Sequence, residues 1–264
     1  MMRALWTAST GMTAQQLNVD NISNNLANVN TIGYKKSRAE FKDLLYETLE
    51  RETVRDGEGK PVSVQVGHGV RTAAINKFFT TGNLEQTSNP YDLAIDGQGF
   101  LKVMGPNGEE LYTKDGSFKV SIEDDSARLV TSDGYYVQGD GGEIDLGIDM
   151  KEVIIDEAGN IVVKRTDDTL EELGSLVITT FANPAGLESV GSNFYKATGA
   201  SGQPVDTAND GSGGSILQGF LEYSNVQIVE EMVKLIQAQR AYEINSKSIQ
   251  TADEMLGLAN NLRR

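Results

Sequence analysis

The chain has no cysteine among its 264 residues and only one histidine and one tryptophan. Without cysteine, disulfides, thiolate metal sites and cysteine nucleophiles are excluded together, although the compartment is left open. His68 alone reduces triads, histidine metal clusters and histidine acid–base pairs to one member at most. It stands between Gly67 and Gly69, which reads as a turn before it reads as a ligand. Long apolar runs are missing too, and no stretch approaches the ~20 residues of a membrane span. Near the N-terminus Arg3 is the only cation, and Thr7, Ser9, Thr10, Thr13, Gln15 and Gln16 interrupt any apolar run, so no secretory signal is read there. Composition then points to a cytoplasmic protein or to export without a cleaved signal.

Acid outweighs base, 38 to 23, and the excess is not spread evenly. Residues 1–33 hold one charge of each sign and residues 226–264 hold five of each, which leaves 17 basic and 32 acidic residues in 34–225. Neutral ends and an acidic middle suit a subunit that packs through its termini and shows its centre to solvent. The acidic middle also argues against nucleic acid as a partner.

The ends carry matching helical patterns. From Val226 to Leu262, Ile228, Leu235, Tyr242, Ile249 and Leu256 recur every seven residues, with Ala238, Ala252 and Ala259 three positions on. The stretch has no proline, and ~35 residues at ~1.5 Å each reach ~50 Å. A second seam runs through Leu5, Met12, Val19 and Leu26 with Ala8, Gln15, Ile22 and Val29. Each seam is either closed within the chain as a helical hairpin or closed by another molecule. Opposite the N-terminal seam crowd Asn18, Asn21, Asn24, Asn25, Asn28 and Asn30. Asparagine is a poor helix former, so this face is either simply solvated or held against other backbone and amide groups. Gly33 is placed to end the helix as its C′ residue.

Between the ends the pattern changes to period two. Phe118–Ile122, Arg128–Thr131, Val153–Ile155, Ile161–Lys164 and Leu176–Phe181 read as strands, separated by turns such as Ser132-Asp133-Gly134 and Glu157-Ala158-Gly159-Asn160. This predicts an all-β barrel or sandwich with Phe100, Tyr112, Phe118, Tyr135 and Phe181 in its core. Glycine-rich 198–215 reads as a returning loop, and polar 47–65 as a flexible loop or a hairpin turning near Asp56-Gly57. Chemistry finds little purchase. Gly97-Gln98-Gly99 lacks the third glycine and helix of a dinucleotide site, and acidic loops such as Asp140–Glu143 lack calcium-loop spacing. Carboxylate pairs for glycoside hydrolysis are numerous, and none is singled out.

The run Asn24-Asn25-Leu26-Ala27-Asn28-Val29-Asn30-Thr31-Ile32-Gly33-Tyr34-Lys35 resembles the signature of bacterial flagellar axial proteins, the rod and hook subunits. Its C-terminal counterpart is Ser224-Asn225-Val226, then Glu230-Glu231-Met232-Val233, then Gln239-Arg240-Ala241-Tyr242-Glu243-Ile244-Asn245-Ser246-Lys247. Within the family, Arg38–Tyr46, Val66–Arg71, Gly82–Thr87, Ala94–Phe100 and Tyr112–Phe118 are similar to the distal-rod branch; residues 121–174 show no fixed motif.

The resemblance implies a mixed α and β fold: long N- and C-terminal helices paired in a coiled-coil-like layer, with an inserted all-β domain. The expected parts are a terminal helical (inner tube) domain, 1–33 plus 226–264, a connecting segment, 34–70 plus 216–225, with a hairpin-like insertion at 47–65, and an all-β outer domain, 71–215. It implies a non-enzymatic subunit, with no catalytic, cofactor or metal residues, self-assembling helically into the distal rod, transmitting torque and surrounding the export channel. Leu5, Met12, Val19, Ile22, Leu26, Val29, Ile228, Leu235, Tyr242, Ile249 and Leu256 are the expected subunit interface. Asn25, Asn28, Thr31, Gly33, Tyr34, Gln239, Arg240, Ala241, Tyr242 and Asn245 carry the family motif, and Glu47, Arg51, Arg55, Asp56 and Gly57 the stiffening insertion. Implied partners are further copies (a homopolymer), proximal rod subunits, hook subunits or their junction, surrounding ring (bushing) proteins and the flagellar type III export apparatus, with no nucleic acid and no direct membrane insertion. Competing readings are a hook or other rod subunit, or a cell-envelope polysaccharide-binding or polysaccharide-hydrolysing module.

Overall fold

The computed structural model describes residues 2–50, 63–105, 108–123, 126–207 and 214–261. The chain divides into two compact units, each made of separated stretches: Met1–Ala27, Ser37–Asn76 and Gln227–Arg264 in the first, Asn28–Lys36 and Lys77–Val226 in the second. These edges differ from those expected. Residues 28–33 leave the helical part, and 37–70 join it rather than forming a separate connector.

The first unit holds helices α1 (Met2–Ala27) and α2 (Ile228–Asn261). They run antiparallel, since Asn25 near the end of α1 reaches Glu231 in the first turn of α2, while Gly11 lies against Asn245. Glu230 and Glu231 in that first turn complement the helix dipole. Small side chains let the two backbones approach: Ala8, Ala14, Ala238 and Ala252 are all buried. Strands β1 (Ser37–Asp43), β2 (Tyr46–Glu50), β3 (Val64–Gly67) and β4 (Val70–Lys77) complete the unit. β1 pairs with β4, and β2 with β3 in an antiparallel stem that matches Tyr46 to Gly67 and Thr48 to Gln65. The 47–65 segment therefore has a hairpin base, while its expected turn and Arg51, Arg55, Asp56 and Gly57 lie outside the described residues. The sequence pattern starts the β domain at Arg71, within β4, yet β4 pairs with β1 in the first unit.

Two further boundaries are corrected. α1 stops at Ala27, where the asparagine run turns (Thr31 N–H to Asn28 O, 3.2 Å) instead of continuing the helix. Gly33, at φ +68°, is thus not a helix cap; its N–H donates to Glu222 O at 2.8 Å within the second unit. Val226 precedes α2 as a buried coil residue.

The second unit is built on one antiparallel path of strands: Glu188–Gly191, Phe194–Lys196, Glu110–Thr113, Phe100–Met104, Tyr136–Gly139, Ser126–Val130, Lys119–Glu123. Its ends do not meet, so among the described residues it is an open sheet rather than a closed barrel. A meander of Met150–Ile155, Asn160–Arg165 and Leu170–Ser175 adds a second layer. The loop expected at 198–215 contains a short strand, Val205–Thr207, paired with Ile178–Thr180. Alternation sorts the core. Leu101, Val103 and Leu111 join Leu129, Val137, Ile161 and Val163 in the main cluster, while their neighbours Phe100 and Tyr112 join Phe181 and Tyr195 in an aromatic one. Ring centroids there stand 4.9 Å apart for Tyr112–Phe181 and 5.3 Å for Phe79–Phe100, edge to face. Phe118 is in the main core as expected, whereas Tyr135 is half-buried against Phe194.

Gly116 shows how tightly the turns are packed. A Cβ there would stand 1.6 Å from Leu93 O, backbone that cannot yield, whereas one at Gly141 would meet nothing within 4 Å. Gly116→Ala is expected to destabilise the second unit by ~3 kcal/mol or more, and Gly141→Ala to change it by less than ~0.5 kcal/mol. Denaturant unfolding of the two variants checks both.

Candidate assembly interface

The asparagine face is not solvated throughout. Ser37 N–H donates to Asn25 Oδ1 at 2.9 Å and Asn25 Nδ2 donates to Ser37 O at 2.8 Å, so the side-chain amide pairs with Ser37 as a strand backbone would. Asn21 Nδ2 also donates to Ser37 O at 3.0 Å, and Ser37 Oγ donates to Asn21 Oδ1 at 2.5 Å. Asn25 Nδ2 reaches Glu231 Oε2 at 3.2 Å, tying α1, β1 and α2 together. Every one of these side chains is buried, which explains amides there: a charge would need a partner, and an apolar side chain would leave Ser37 unsatisfied. Asn225 does the same in the second unit, accepting from Lys36 N–H at 2.8 Å and donating to Phe78 O at 2.9 Å.

The two helices touch within the chain at Asn25–Glu231 and Gly11–Asn245. Leu5, Met12, Val19 and Leu26 are half-buried and Ile22 is buried, while Leu235, Ile249 and Leu256 on α2 are half-buried. Ile228, beyond the last turn of α1, and Tyr242 remain exposed, and Val29 lies past the helix end. Of the C-terminal motif residues, Gln239 and Arg240 are exposed and Ala241 and Asn245 half-buried. What sequence reasoning missed is a second apolar row. Val229, 76% exposed, begins it; Met232, Val233, Ile236, Ile244 and Met255 continue it, and Leu258, 66% exposed, ends it. Val229, Met232, Val233 and Ile236 keep a three-and-four spacing that the seven-residue seam beside them masked, while Arg240, Glu243 and Lys247 interrupt the row around Ile244, ahead of Met255 and Leu258.

In the second unit lies a buried charge cluster. Lys35 Nζ pairs with Glu222 Oε1 and donates to Thr80 O at 2.7 Å; Gly82 N–H donates to the same Glu222 oxygen at 2.7 Å. Lys114 Nζ stands 3.8 Å from Glu222 Oε2 and donates to Gly97 O at 3.0 Å. One carboxylate thus faces two ammonium groups, all essentially inaccessible. Burial lowers the Lys114 pKa to about 8, against the pull of Glu222 and with help from Lys35. Lys35 is also lowered by burial, with Glu222 opposing. Burial raises the Tyr195 phenol as well, and Tyr34 and Glu222 add to it. Lys35 closes the N-terminal signature and Glu222 lies two residues before Ser224-Asn225-Val226, so the sequence marked both neighbourhoods without showing that they meet.

Beside the hairpin stem, Glu47 pairs with Arg3 and lies 3.9 Å from His68 Nε2. His68 occupies the turn between β3 and β4, with Gly69 at φ +106° and its own Nδ1 3.0 Å from Leu45 O. Met2, Arg3, Trp6, Thr7, Gly67 and His68 line a shallow cavity of about 300 Å³, with Trp6 63% exposed at its rim. Among the described residues no group of three or more His, Asp or Glu side chains is arranged to hold a metal ion, and no helix is long and apolar enough to cross a membrane.

Three family descriptions match in chain order: flagella basal body rod protein over residues 5–35, flagellar hook protein FlgE/F/G D1 domain over 94–163, and flagellar basal body rod FlgEFG protein C-terminal over 217–262. The flagellar basal-body rod protein FlgG of Borreliella burgdorferi is 50% identical over the full length of both chains. The chain belongs to the flagellar basal-body rod protein family. FlgG of Caulobacter vibrioides is 43% identical over 99% of this chain and all of its own, and FlgG of Bacillus subtilis 37% identical over all of both. The protein is therefore a structural subunit of the flagellar rod. Asn21, Asn25 and Glu231 of the amide joint and Lys35 and Glu222 of the charge cluster fall in the two rod-protein matches, whereas Lys114 falls in the D1 match.

The cluster has a pH signature. Folded Lys114 titrates near 8 and the unfolded side chain near 10.5, so between those values the unfolded chain binds more protons and stability rises with pH. Wild type is expected to gain ~2–3 kcal/mol relative to Lys114→Met between pH 7.5 and 10.5, read as the difference of their denaturant midpoints. Glu222→Gln, which strands two buried cations, is expected to cost ~3–5 kcal/mol at pH 7.

Proposed function

We propose that the chain is the distal-rod subunit of the flagellar basal body, self-assembling helically into a stiff shaft that carries torque from motor to hook around an export channel. The observation that carries this is the second apolar row on α2. A free-standing helix hides its apolar residues on one face, yet beyond its face toward α1, α2 exposes Val229, Met232, Val233 and Ile236 together in its first turns and Ile244, Met255 and Leu258 further along. In a polymer the uncovered row is closed by the next copy through a heterologous contact that does not close on itself. The α1–α2 pair then forms the coiled-coil-like inner layer and the strands of the second unit the outer shell. The subunit acts by contact rather than by catalysis and leaves the cell interior through the flagellar type III apparatus. Proximal rod subunits, hook subunits and a surrounding ring are its neighbours.

Val229→Asp combined with Ile236→Asp is expected to leave the free chain folded, with stability changed by less than ~1 kcal/mol, because both side chains already face solvent. Cells carrying it as their only rod protein of this type are expected to stop basal-body growth before the hook and to be immotile. Normal hooks and swimming would remove the row from assembly.

The β2–β3 stem is read as the base of the stiffening insertion carrying Glu47, Arg51, Arg55, Asp56 and Gly57. Deleting 47–65 is expected to permit assembly but to give a rod that bends; a shaft as straight as wild type in electron micrographs would contradict that role.

A further inference from the structure

The row of α2 that faces α1 is not uniformly apolar. Taken every seven residues, one position of it reads Glu231, Ala238, Asn245, Ala252, so polar and small residues alternate. Glu231 is buried and accepts from Asn25 on α1 and from Lys234 Nζ at 2.7 Å. Asn245 fills the space left by the missing side chain of Gly11: a Cβ added there would stand 2.9 Å from Asn245 Nδ2 and 3.3 Å from its Cγ. Gly11 and Asn25 are fourteen residues apart, as are Glu231 and Asn245, so both contacts belong to one alignment of the helices.

We infer that Gly11, Asn25, Glu231 and Asn245 set the register of α1 against α2, and that the two polar residues of the α2 row serve to exclude pairings shifted by one heptad. The apolar residues at the other seam positions tolerate such a shift, since a seven-residue displacement again sets most of them opposite apolar residues. The polar positions do not. Moved one heptad in one direction, Asn245 leaves the Gly11 notch and meets Asn18, while Glu231 passes the end of α1; moved the other way, Asn245 meets Ala4 and Glu231 exchanges Asn25 for Asn18. Each displacement breaks the Asn25–Glu231 hydrogen bond and sets a side chain, Asn18 or Ala4, where Asn245 needs the notch at Gly11, a position at which even a Cβ would stand 2.9 Å from its Nδ2. A helical polymer needs every copy to present the same surface at the same height, and a single permitted alignment supplies that. The inference concerns the helix pair of one chain and stands apart from the rod reading.

The cysteine-free chain makes the test direct. Ala8→Cys with Ile249→Cys reports the native alignment, because Ile249 lies one turn beyond Asn245 as Ala8 lies one turn before Gly11. Gln15→Cys with Ile249→Cys and Ala8→Cys with Tyr242→Cys report the two shifted alignments. One heptad is ~10.5 Å along a helix, outside the ~7 Å Cα separation a disulfide spans. On mild oxidation of the purified chain, the native pair is expected to close at least ~10-fold more than either shifted pair. With Glu231→Leu and Asn245→Leu added, a shifted pair is expected to close to within ~3-fold of the native one, while resistance of the helices to denaturant rises. Closure confined to the native pair in that background, or a fall in resistance with the alignment kept, would overturn the inference. Should the double leucine variant lose its helices, Gly11→Ala is expected to depress native-pair closure and Asn245→Ala to restore it; no depression, or no restoration, would overturn it equally.

Discussion

A helix with two apolar faces and one partner is the constraint from which the rest of this structure follows. α2 is covered along one row by α1 and left bare along another, in a protein whose net charge of −15 would otherwise keep it apart from its own copies. The covered row is kept thin by alanine and glycine, so the two helices lie close. The bare row carries the larger side chains, Val229, Met232, Ile236, Ile244 and Leu258. Burying each of them contributes ~1.5–3 kcal/mol only when another molecule arrives. On the proposed reading affinity for copies is built into the termini, while the acidic charge sits in the intervening residues.

Joining several stretches of chain into each unit requires contacts that do not rely on continuous secondary structure, and side-chain amides provide them. Asn25 replaces a missing backbone partner for Ser37, and Asn225 does so for Lys36 and Phe78. An amide matches peptide geometry and carries no charge, so it crosses from helix to strand without the desolvation cost of a carboxylate. Two carboxylates are exceptions: Glu231, held by Asn25 and Lys234, and Glu222, buried between Lys35 and Lys114. Such a cluster adds less stability than its charges suggest, but losing any member leaves an uncompensated neighbour, so it punishes misplacement of the segments it joins.

Much of this was legible in the sequence. Both helices, the period-two middle and the aromatic core at Phe100, Tyr112 and Phe181 follow from residue patterns, whereas for 47–65 polarity left a flexible loop and a hairpin both open, and the likeness to flagellar axial proteins was carried by Asn24–Lys35 and Ser224–Lys247. The helix end was not, because Asn28, Val29 and Asn30 continue the seam spacing while their amides and the Thr31 turn stop the helix at Ala27. Nor was the pairing of β4 with β1, since a local pattern does not say which distant strand it meets. Glu222 escaped for the same reason: its partners Lys35 and Lys114 are remote in sequence, and nothing local marks a carboxylate as buried.

The central claim is that the outer row of α2 is bare in the free subunit and closed by another copy in the rod. Reaction of a single introduced thiol tests it most directly. Ile244→Cys, on the bare row, should react with a maleimide at nearly the rate of a free thiol in the purified chain and at least ~10-fold more slowly in isolated basal bodies. Equal reactivity of Ile244→Cys in the free chain and in the rod would contradict the account.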